Sequence, residues 1–535
     1  MSDEQGSGGR GPEDRDDLRG RNLADTPEMG DVIEETRAST RAWVGRFLGP
    51  VAALLAYFLL PTGNGGLSPE GAVVVAVGLL MAIWWVTEAL PLPATALLPI
   101  VLFPLFGAVA IEDATAPYAS DVIFLFMGGF MIALAMQRWG LHRRIALVTI
   151  MAVGTQPVRV IGGFMIATAF LSMWVSNTAT AVMMLPIGLS VLALVITGDD
   201  PETGEGDEGR GSNLTGLGAS NFAVGLMLGI AYAASIGSLA TLIGTPPNLF
   251  MAGFLQETYD ITIGFGEWML VGLPLSVVFL FITWIVLTRF VYPPEISEIS
   301  GGRELIRGQL DEMGRISRGE KIVLVVFVTT AFFWIFRQAL SGLPGLGGLE
   351  DSSIAIAAAI ALFFIPVDAR NGVFALDWRT ALNLPWGVLL LFGGGLSLAS
   401  AVSATGVDQW IGDSFAGFAG VPILLFVVAV TAAVIFLTEL TSNTATAAAL
   451  LPIFGGVAVG TDLDPLLLVV PAALAASCAF MLPVATPPNA IVFGSGHVTI
   501  LQMVKAGIWL NVIGIVLITL TIFALATWIF GITLA

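Results

Sequence analysis

Two short polar runs interrupt long apolar stretches, and each occurs twice. Ser176-Asn177-Thr178-Ala179-Thr180 returns as Ser442-Asn443-Thr444-Ala445-Thr446, and Gly244-Thr245-Pro246-Pro247-Asn248 returns as Ala485-Thr486-Pro487-Pro488-Asn489. Hydroxyl, amide and carbonyl oxygens suit a hard cation. Consecutive prolines remove two amide donors and clash with the preceding turn, so a helix must unwind there. Unwinding frees carbonyl oxygens on one half-helix. On the other it frees amides at the positive end of the dipole, where a carboxylate or sulfate is favoured. One such run could be an ordinary kink; two pairs in register argue against that.

No Lys or Arg falls inside either motif. A dianion held there would be neutralised by bound cations and helix dipoles. Without the cations it would sit in low dielectric with little compensation, which is costly. This gives a physical basis for coupling anion to cation.

The elements that carry these motifs are membrane elements. Of 535 residues, 56% are hydrophobic and 12% charged, with a mean hydropathy of +0.88, so lipid is the solvent for most of the chain. The 62 Gly and 28 Pro fit a transporter, where a cavity or neighbouring helices satisfy broken backbone. At about 20 apolar residues per span, about eleven transmembrane helices are expected, near 43–60, 70–90, 93–110, 121–138, 221–243, 267–291, 321–340, 352–367, 385–403, 467–484 and 505–532. The stretches 158–196 and 420–459 are nearly two helices long with Ser-Asn-Thr at the centre. Both read as re-entrant helical hairpins, because a polar turn at membrane depth must line a protein cavity. The fold class is therefore all-α and polytopic.

The chain also repeats itself. Phe126-Met127-Gly128-Gly129 matches Phe392-Gly393-Gly394-Gly395, Gly140 matches Gly406, and Leu185-Pro186 matches Leu451-Pro452, all with the offset of 266 that separates Ser176 from Ser442. The Pro-Pro motifs keep an offset of 241, the difference lying in an acidic loop near 197–220. An odd number of spans between matching elements inverts one repeat against the other, the pattern of secondary transporters. The boundaries read as an acidic disordered cytoplasmic tail over 1–42, a first repeat over 43–292, a cytoplasmic linker over 293–320 and a second repeat over 321–535. No secretory signal peptide opens the chain. Arg37, Arg41 and Arg46, then Arg138, Arg143 and Arg144, then the basic residues from Arg303 to Lys321 place their loops in the cytoplasm. The N-terminus is then cytoplasmic and the C-terminus extracellular, in the plasma membrane. The net charge of −18 with only Lys321 and Lys505 as lysines suits a salt-rich setting, the alternative being an acidic tail on an ordinary protein. The single Cys478 excludes an intramolecular disulfide framework.

The double SNTAT motif, the paired TPPN breaks and Thr87-Glu88-Ala89-Leu90-Pro91-Leu92-Pro93 resemble the divalent anion/sodium symporter family, from about Ala53 to the C-terminus. The resemblance implies one Na⁺ at each hairpin tip. The first set is Ser172, Ser176 and Asn177 with the backbone at Gly244; the second is Thr438, Ser442 and Asn443 with the backbone at Ala485. It implies that substrate carboxylates meet Asn177, Thr178, Asn443, Thr444 and Thr486, with Thr245 and Pro487 beside them. It also implies a homodimer with a fixed scaffold and a moving transport domain. The expected function is Na⁺-coupled symport of small dianions by alternating access, C4-dicarboxylates such as succinate, malate or fumarate. A cation-independent exchanger, a citrate or sulfate carrier and a Na⁺/H⁺ antiporter are the alternatives.

Glu439, three residues before the second motif, and Glu88 are candidate proton carriers. A structural role is favoured for both, Glu439 by holding amides at the hairpin tip. His142, beside Arg143 and Arg144, reads as solvated. No nucleotide loop, zinc motif or activated nucleophile is present, so the chain is not expected to be an enzyme. No cofactor beyond the coupling Na⁺ and no nucleic-acid partner is expected.

Overall fold

A computed structural model describes residues 40–532 apart from 64–65, 155, 198–219, 297, 300, 416 and 418–419. The acidic tail up to residue 39 and the acidic loop after Thr197 lie outside the described residues.

Among the described residues the fold is helical, with one small antiparallel hairpin of Pro366–Asp368 on Val373–Phe374. Among the described residues ten helices are long and apolar enough to cross a membrane. The first half contains α1 (Thr40–Leu59), α2 (Pro69–Thr87), α3 (Leu98–Leu105), α4 (Asp121–Arg138), α5 (Leu141–Val153), α6 (Pro157–Ser172), α7 (Asn177–Thr197), α8 (Asn221–Ser238), α9 (Pro246–Tyr259) and α10 (Phe265–Ile285). A short α11 (Gly302–Glu312) precedes α12 (Arg318–Ser341) and α13 (Asp351–Phe364). The rest comprises α14 (Trp386–Ala404), α15 (Val407–Phe415), α16 (Ile423–Thr438), α17 (Asn443–Gly460), α18 (Leu466–Ala476), α19 (Pro487–Gly494) and α20 (Ile500–Thr521). Each of the eleven expected spans coincides with a helix, although α3, α13 and α18 are shorter than a full span.

Both hairpins form. The arms α6 and α7 pack together across residues 173–176, and α16 and α17 across 439–442. The prolines act differently from the expected interruption. Pro246 and Pro487 stand at the first positions of α9 and α19, where the missing amide has no helical partner to lose. The helix has already ended at Ser238 and Ala476, and the chain between runs irregularly over 239–245 and over 477–486 apart from a 3₁₀ turn at Pro483–Ala485. The second break is therefore not the end of its span: α19 continues beyond it for eight residues. That apolar run, closed by Gly494-Ser495-Gly496, is too short to register as a membrane segment.

Lipid tails are as apolar as Leu, so close backbone contact, rather than the hydrophobic effect, must hold such helices together. The matched glycines serve this purpose. A Cβ on Gly128 would lie 2.7 Å from the Ala355 backbone, and one on Gly394 would lie 2.2 Å from the Ala96 carbonyl oxygen. Phe126 and Phe392, two residues earlier in each motif, touch with ring centroids 5.2 Å apart. The paired Gly140 and Gly406 both adopt the left-handed backbone that ends α4 and α14, at φ +70° and +71°. The linker expected over 293–320 contains α11, and α5 packs on it. Arg144 of α5 reaches Glu320 at 2.5 Å and the carbonyls of Met313 and Gly314, tying the entry to the first hairpin to the base of α12. His142 is half-buried rather than solvated, with its Nδ1 3.1 Å from the Met136 carbonyl. Burial lowers its pKa, since the charged imidazole loses water.

Candidate functional site

The broken helices α8 and α18 are the most enclosed elements of the molecule: residues 222–238 and 466–476 are all buried. An unwound turn in such a place must satisfy its own polar groups or lose several kcal/mol for each. Asn248 and Asn489 do this in the same way. Asn248 Nδ2 points to the carbonyls of Ser238, Leu239 and Thr241 at 3.0–3.5 Å. Asn489 Nδ2 donates to those of Ala479 and Leu482, both at 3.1 Å. In each case the acceptors lie ten and seven residues earlier, so one side chain closes the loop. Thr245 and Thr486 precede the prolines with nearly identical extended dihedrals, φ −143°, ψ 141° and φ −142°, ψ 148°. At Gly244 an added Cβ would stand 2.3 Å from the Ser238 carbonyl oxygen, so this turn has no room for a side chain.

The hairpin tips meet these breaks through a second repeated arrangement. Ser172 Oγ lies 2.7 Å from both Asn177 Oδ1 and the carbonyl of Ala234, near the end of α8. Thr438 Oγ1 lies 2.8 Å from Asn443 Oδ1 and 2.9 Å from the carbonyl of Ala476, the last residue of α18. A hydroxyl carries one proton. At each tip one hydroxyl thus bridges an amide oxygen and a helix carbonyl, with a single hydroxyl proton for the two acceptors. Ser172 and Thr438 are fully buried. Asn177 Nδ2 also donates to Ser238 Oγ at 3.3 Å, linking tip and break.

The two halves converge. Thr245 Oγ1 and Ser477 Oγ are 3.1 Å apart, so the breaks touch. The half-helix α9 packs along α17, and α19 along α7. All four begin at a tip or a break, so their positive dipole ends lie there; the first two residues of α9 and α19 are prolines without amides, and Asn489 N is capped by Thr486 Oγ1 at 3.3 Å. Among the described residues no Lys or Arg is buried, and the buried carboxylates are Glu320 and Glu439.

Most of the residues expected at the site thus fall in this centre. Asn177, Thr178, Ser176, Asn443, Thr444 and Ser442 are half-buried at the tips, while Thr245, Thr486, Gly244 and Ala485 are buried in the breaks. Pro487 is exposed. Thr178 and Thr444 sit in the first turns of α7 and α17 and make no side-chain hydrogen bond within the described residues. Among the described residues no hydrogen bond ties the carbonyls of Gly244 and Ala485 to the tips. Sequence reasoning missed Ser238, Ser477 and the amide roles of Asn248 and Asn489. An Asn at a fixed place after two prolines in both repeats was the available signal.

The two acids weighed as candidate proton carriers, for which a structural role is favoured, differ. Glu88 ends α2 with a left-handed φ of 52° and pairs with Arg41 at 3.8 Å; both are exposed, and Arg41 Nη1 donates to the Leu440 carbonyl of the second hairpin tip at 3.1 Å. Glu439 is buried and accepts amides, but those of Phe480, Met481 and Leu482 in the opposite break rather than those of its own tip.

Comparison with known proteins agrees with this architecture. Residues 40–532 match the family model described as the sodium:sulfate symporter transmembrane region. Two relatives are each called a sodium-dependent dicarboxylate transporter. The one from Staphylococcus saprophyticus is 43% identical over 491 residues, covering 91% of this chain and 92% of that protein. The one from Staphylococcus aureus strain MRSA252 is 42% identical over 496 residues, covering 92% and 93%. In fold, the chain is similar to the YdaH transporter of Alcanivorax borkumensis, with a TM-score of 0.57 at 12% identity over 92% of this chain and 99% of that one. It is also similar to MtrF of Neisseria gonorrhoeae, with a TM-score of 0.56 at 15% identity over 89% and 98%.

Proposed function

The chain belongs to the sodium:sulfate symporter family, and from that premise we propose that it carries small dicarboxylates into the cell together with Na⁺. It is a multi-pass membrane transporter and not an enzyme. The observation that carries the substrate and coupling is the pair of proton-poor oxygen clusters set among four helix N-termini, with no buried Lys or Arg among the described residues. Oxygen clusters short of protons favour a hard monovalent cation. The N-termini favour carboxylates. The missing fixed positive charge makes each ion depend on the other. The relatives described as sodium-dependent dicarboxylate transporters support the same choice over citrate, sulfate or proton exchange.

In this reading Ser172, Ser176 and Asn177 with the Gly244 backbone hold one Na⁺. Thr438, Ser442 and Asn443 with the Ala485 backbone hold the other. The carboxylates lie against Asn177, Thr178, Asn443 and Thr444, with Thr245, Thr486 and Pro487 at the sides. Residues 43–292 and 321–535 form the two inverted repeats. Purified protein in proteoliposomes should accumulate radiolabelled succinate under an inward Na⁺ gradient and not under choline. Equal accumulation in both media would instead indicate a cation-independent exchanger.

The basic loops support a cytoplasmic N-terminus and an extracellular C-terminus, with homodimers as the working unit. A C-terminal tag should be reached by an impermeant label on intact cells, and crosslinking in native membranes should yield dimers. A shielded tag would invert the orientation, and monomers alone would remove the dimer.

A further inference from the structure

The two repeats, alike in their tips and breaks, are unequally covered. At the repeat offset of 266, Trp174 of the first tip corresponds to Leu440 of the second; Trp174 is 8% exposed and Leu440 59%. At the offset of 241, Ile243 of the first break corresponds to Val484 of the second; Ile243 is 8% exposed and Val484 75%. The whole first break, 239–245, is buried. Irregular backbone cannot face lipid, so the bared side of the second break borders a water-filled opening.

What covers the first repeat is aromatic. The Trp174 ring stacks on Phe265, the first residue of α10, with centroids 6.1 Å apart, and meets Phe327 of α12 edge-on at 4.9 Å. Phe265 stacks in turn on Trp334 of α12 at 4.5 Å. Asp351 at the start of α13 fixes this column. Its Oδ2 accepts from Phe265 N at 2.9 Å and its carbonyl from Trp334 Nε1 at 3.0 Å. Ile243 closes the break by lying on Gly129 of α4, where a Cβ would stand 3.2 Å from its Cδ1. Among the described residues neither contact recurs in the second repeat. Gly395, the counterpart of Gly129, is covered by Phe250, and the Leu440 carbonyl is held by the exposed Arg41. A Trp set among aromatic rings is held more tightly than an exposed Leu. Yet the Trp174 indole N–H finds no acceptor where it lies, so leaving for water returns a hydrogen bond. The contact is firm and also releasable.

Resting on the transport reading above, we propose that Trp174 closes the pathway on the first-tip face, and that Trp set against Leu at this matched position biases the transporter toward the arrangement seen here, closed over the first tip and open over the second. Release of Trp174 from Phe327 is the step that uncovers Ile243 and opens the centre to the other side.

Introduced thiols report the bias. Ile243→Cys and Val484→Cys are made separately, each alone and with Trp174→Leu or Phe327→Leu. Their modification by a charged thiol reagent is timed on the purified full-length protein; Cys478 is buried, so the parent chain serves as the blank. Without a second substitution, Val484→Cys should react at least about tenfold faster than Ile243→Cys. Trp174→Leu removes two ring contacts and should speed Ile243→Cys about tenfold without speeding Val484→Cys; Phe327→Leu removes one and should speed it about threefold. Equal acceleration at both positions would mean general loosening of the fold and would overturn the proposal, as would no change at either. If Trp174→Leu fails to fold, Phe327→Leu decides by the same criterion. Succinate uptake in proteoliposomes is measured alongside. A parent protein that moves no succinate while Ile243→Cys responds as expected would overturn the transport reading and support the closure by Trp174. Succinate uptake with unresponsive thiols would overturn the closure alone.

Discussion

Asn177→Ala and Asn443→Ala each reduce succinate uptake by about a hundredfold or more while the protein still reaches the membrane and purifies as a folded species. In the reading above each amide serves both ions. Its Oδ1 is one of the three oxygens of a cluster, 2.7 Å from Ser172 Oγ in one case and 2.8 Å from Thr438 Oγ1 in the other. Its Nδ2 is free to turn toward a carboxylate, and in Asn177 it now contacts Ser238 Oγ. Alanine therefore deletes a cation ligand and an anion donor in one step. A hydrogen bond to a charged group contributes about 1.5–3 kcal/mol, so the loss of two such contacts exceeds a hundredfold even if one is partly replaced by water. Both side chains are half-buried at the ends of helices, and the backbone bonds that start α7 and α17, Thr180 N to Ser176 O and Thr446 N to Ser442 O, do not use them. Folding should thus survive. Uptake at wild-type rates in either variant would remove that tip from the site.

Much of this was legible in the sequence because the physics of the bilayer is local. Apolar run length sets helix length, and a polar centre in a doubled run, as at Ser176 and Ser442, gives a hairpin. What the sequence hid depends on contacts between distant segments. Glu439 was seen as a capping acid, yet its partners lie 41 to 43 residues away in α18's break and 72 away on α20. No periodicity reports such a pairing. The contact of Thr245 with Ser477 spans 232 residues and joins positions that are unrelated by either repeat offset. The half-helix α19 escaped because hydropathy asks for a full span, and a half-helix that begins at mid-membrane needs only half of one. Hydropathy likewise cannot tell α18, buried on all sides, from a helix that faces lipid.

The second large effect is reciprocal coupling between Na⁺ and dianion. If bound cations supply the positive charge that no buried Lys or Arg among the described residues provides, Na⁺ must tighten the dianion, and the dianion must tighten Na⁺ by the same factor. Coupling energies commonly lie at about 1–3 kcal/mol, or about 5- to 150-fold in affinity. This site belongs at the upper end, since the anion would otherwise meet only dipoles. Ser172→Ala and Thr438→Ala each remove the hydroxyl that joins Asn and helix carbonyl in one cluster. Each should weaken the coupling while leaving the proposed anion contacts in place.

Calorimetric titration of the purified protein with succinate, in Na⁺ and in choline at equal ionic strength, tests the central claim most directly. The account predicts a dissociation constant at least about tenfold lower in Na⁺; equal dissociation constants in the two media would contradict it.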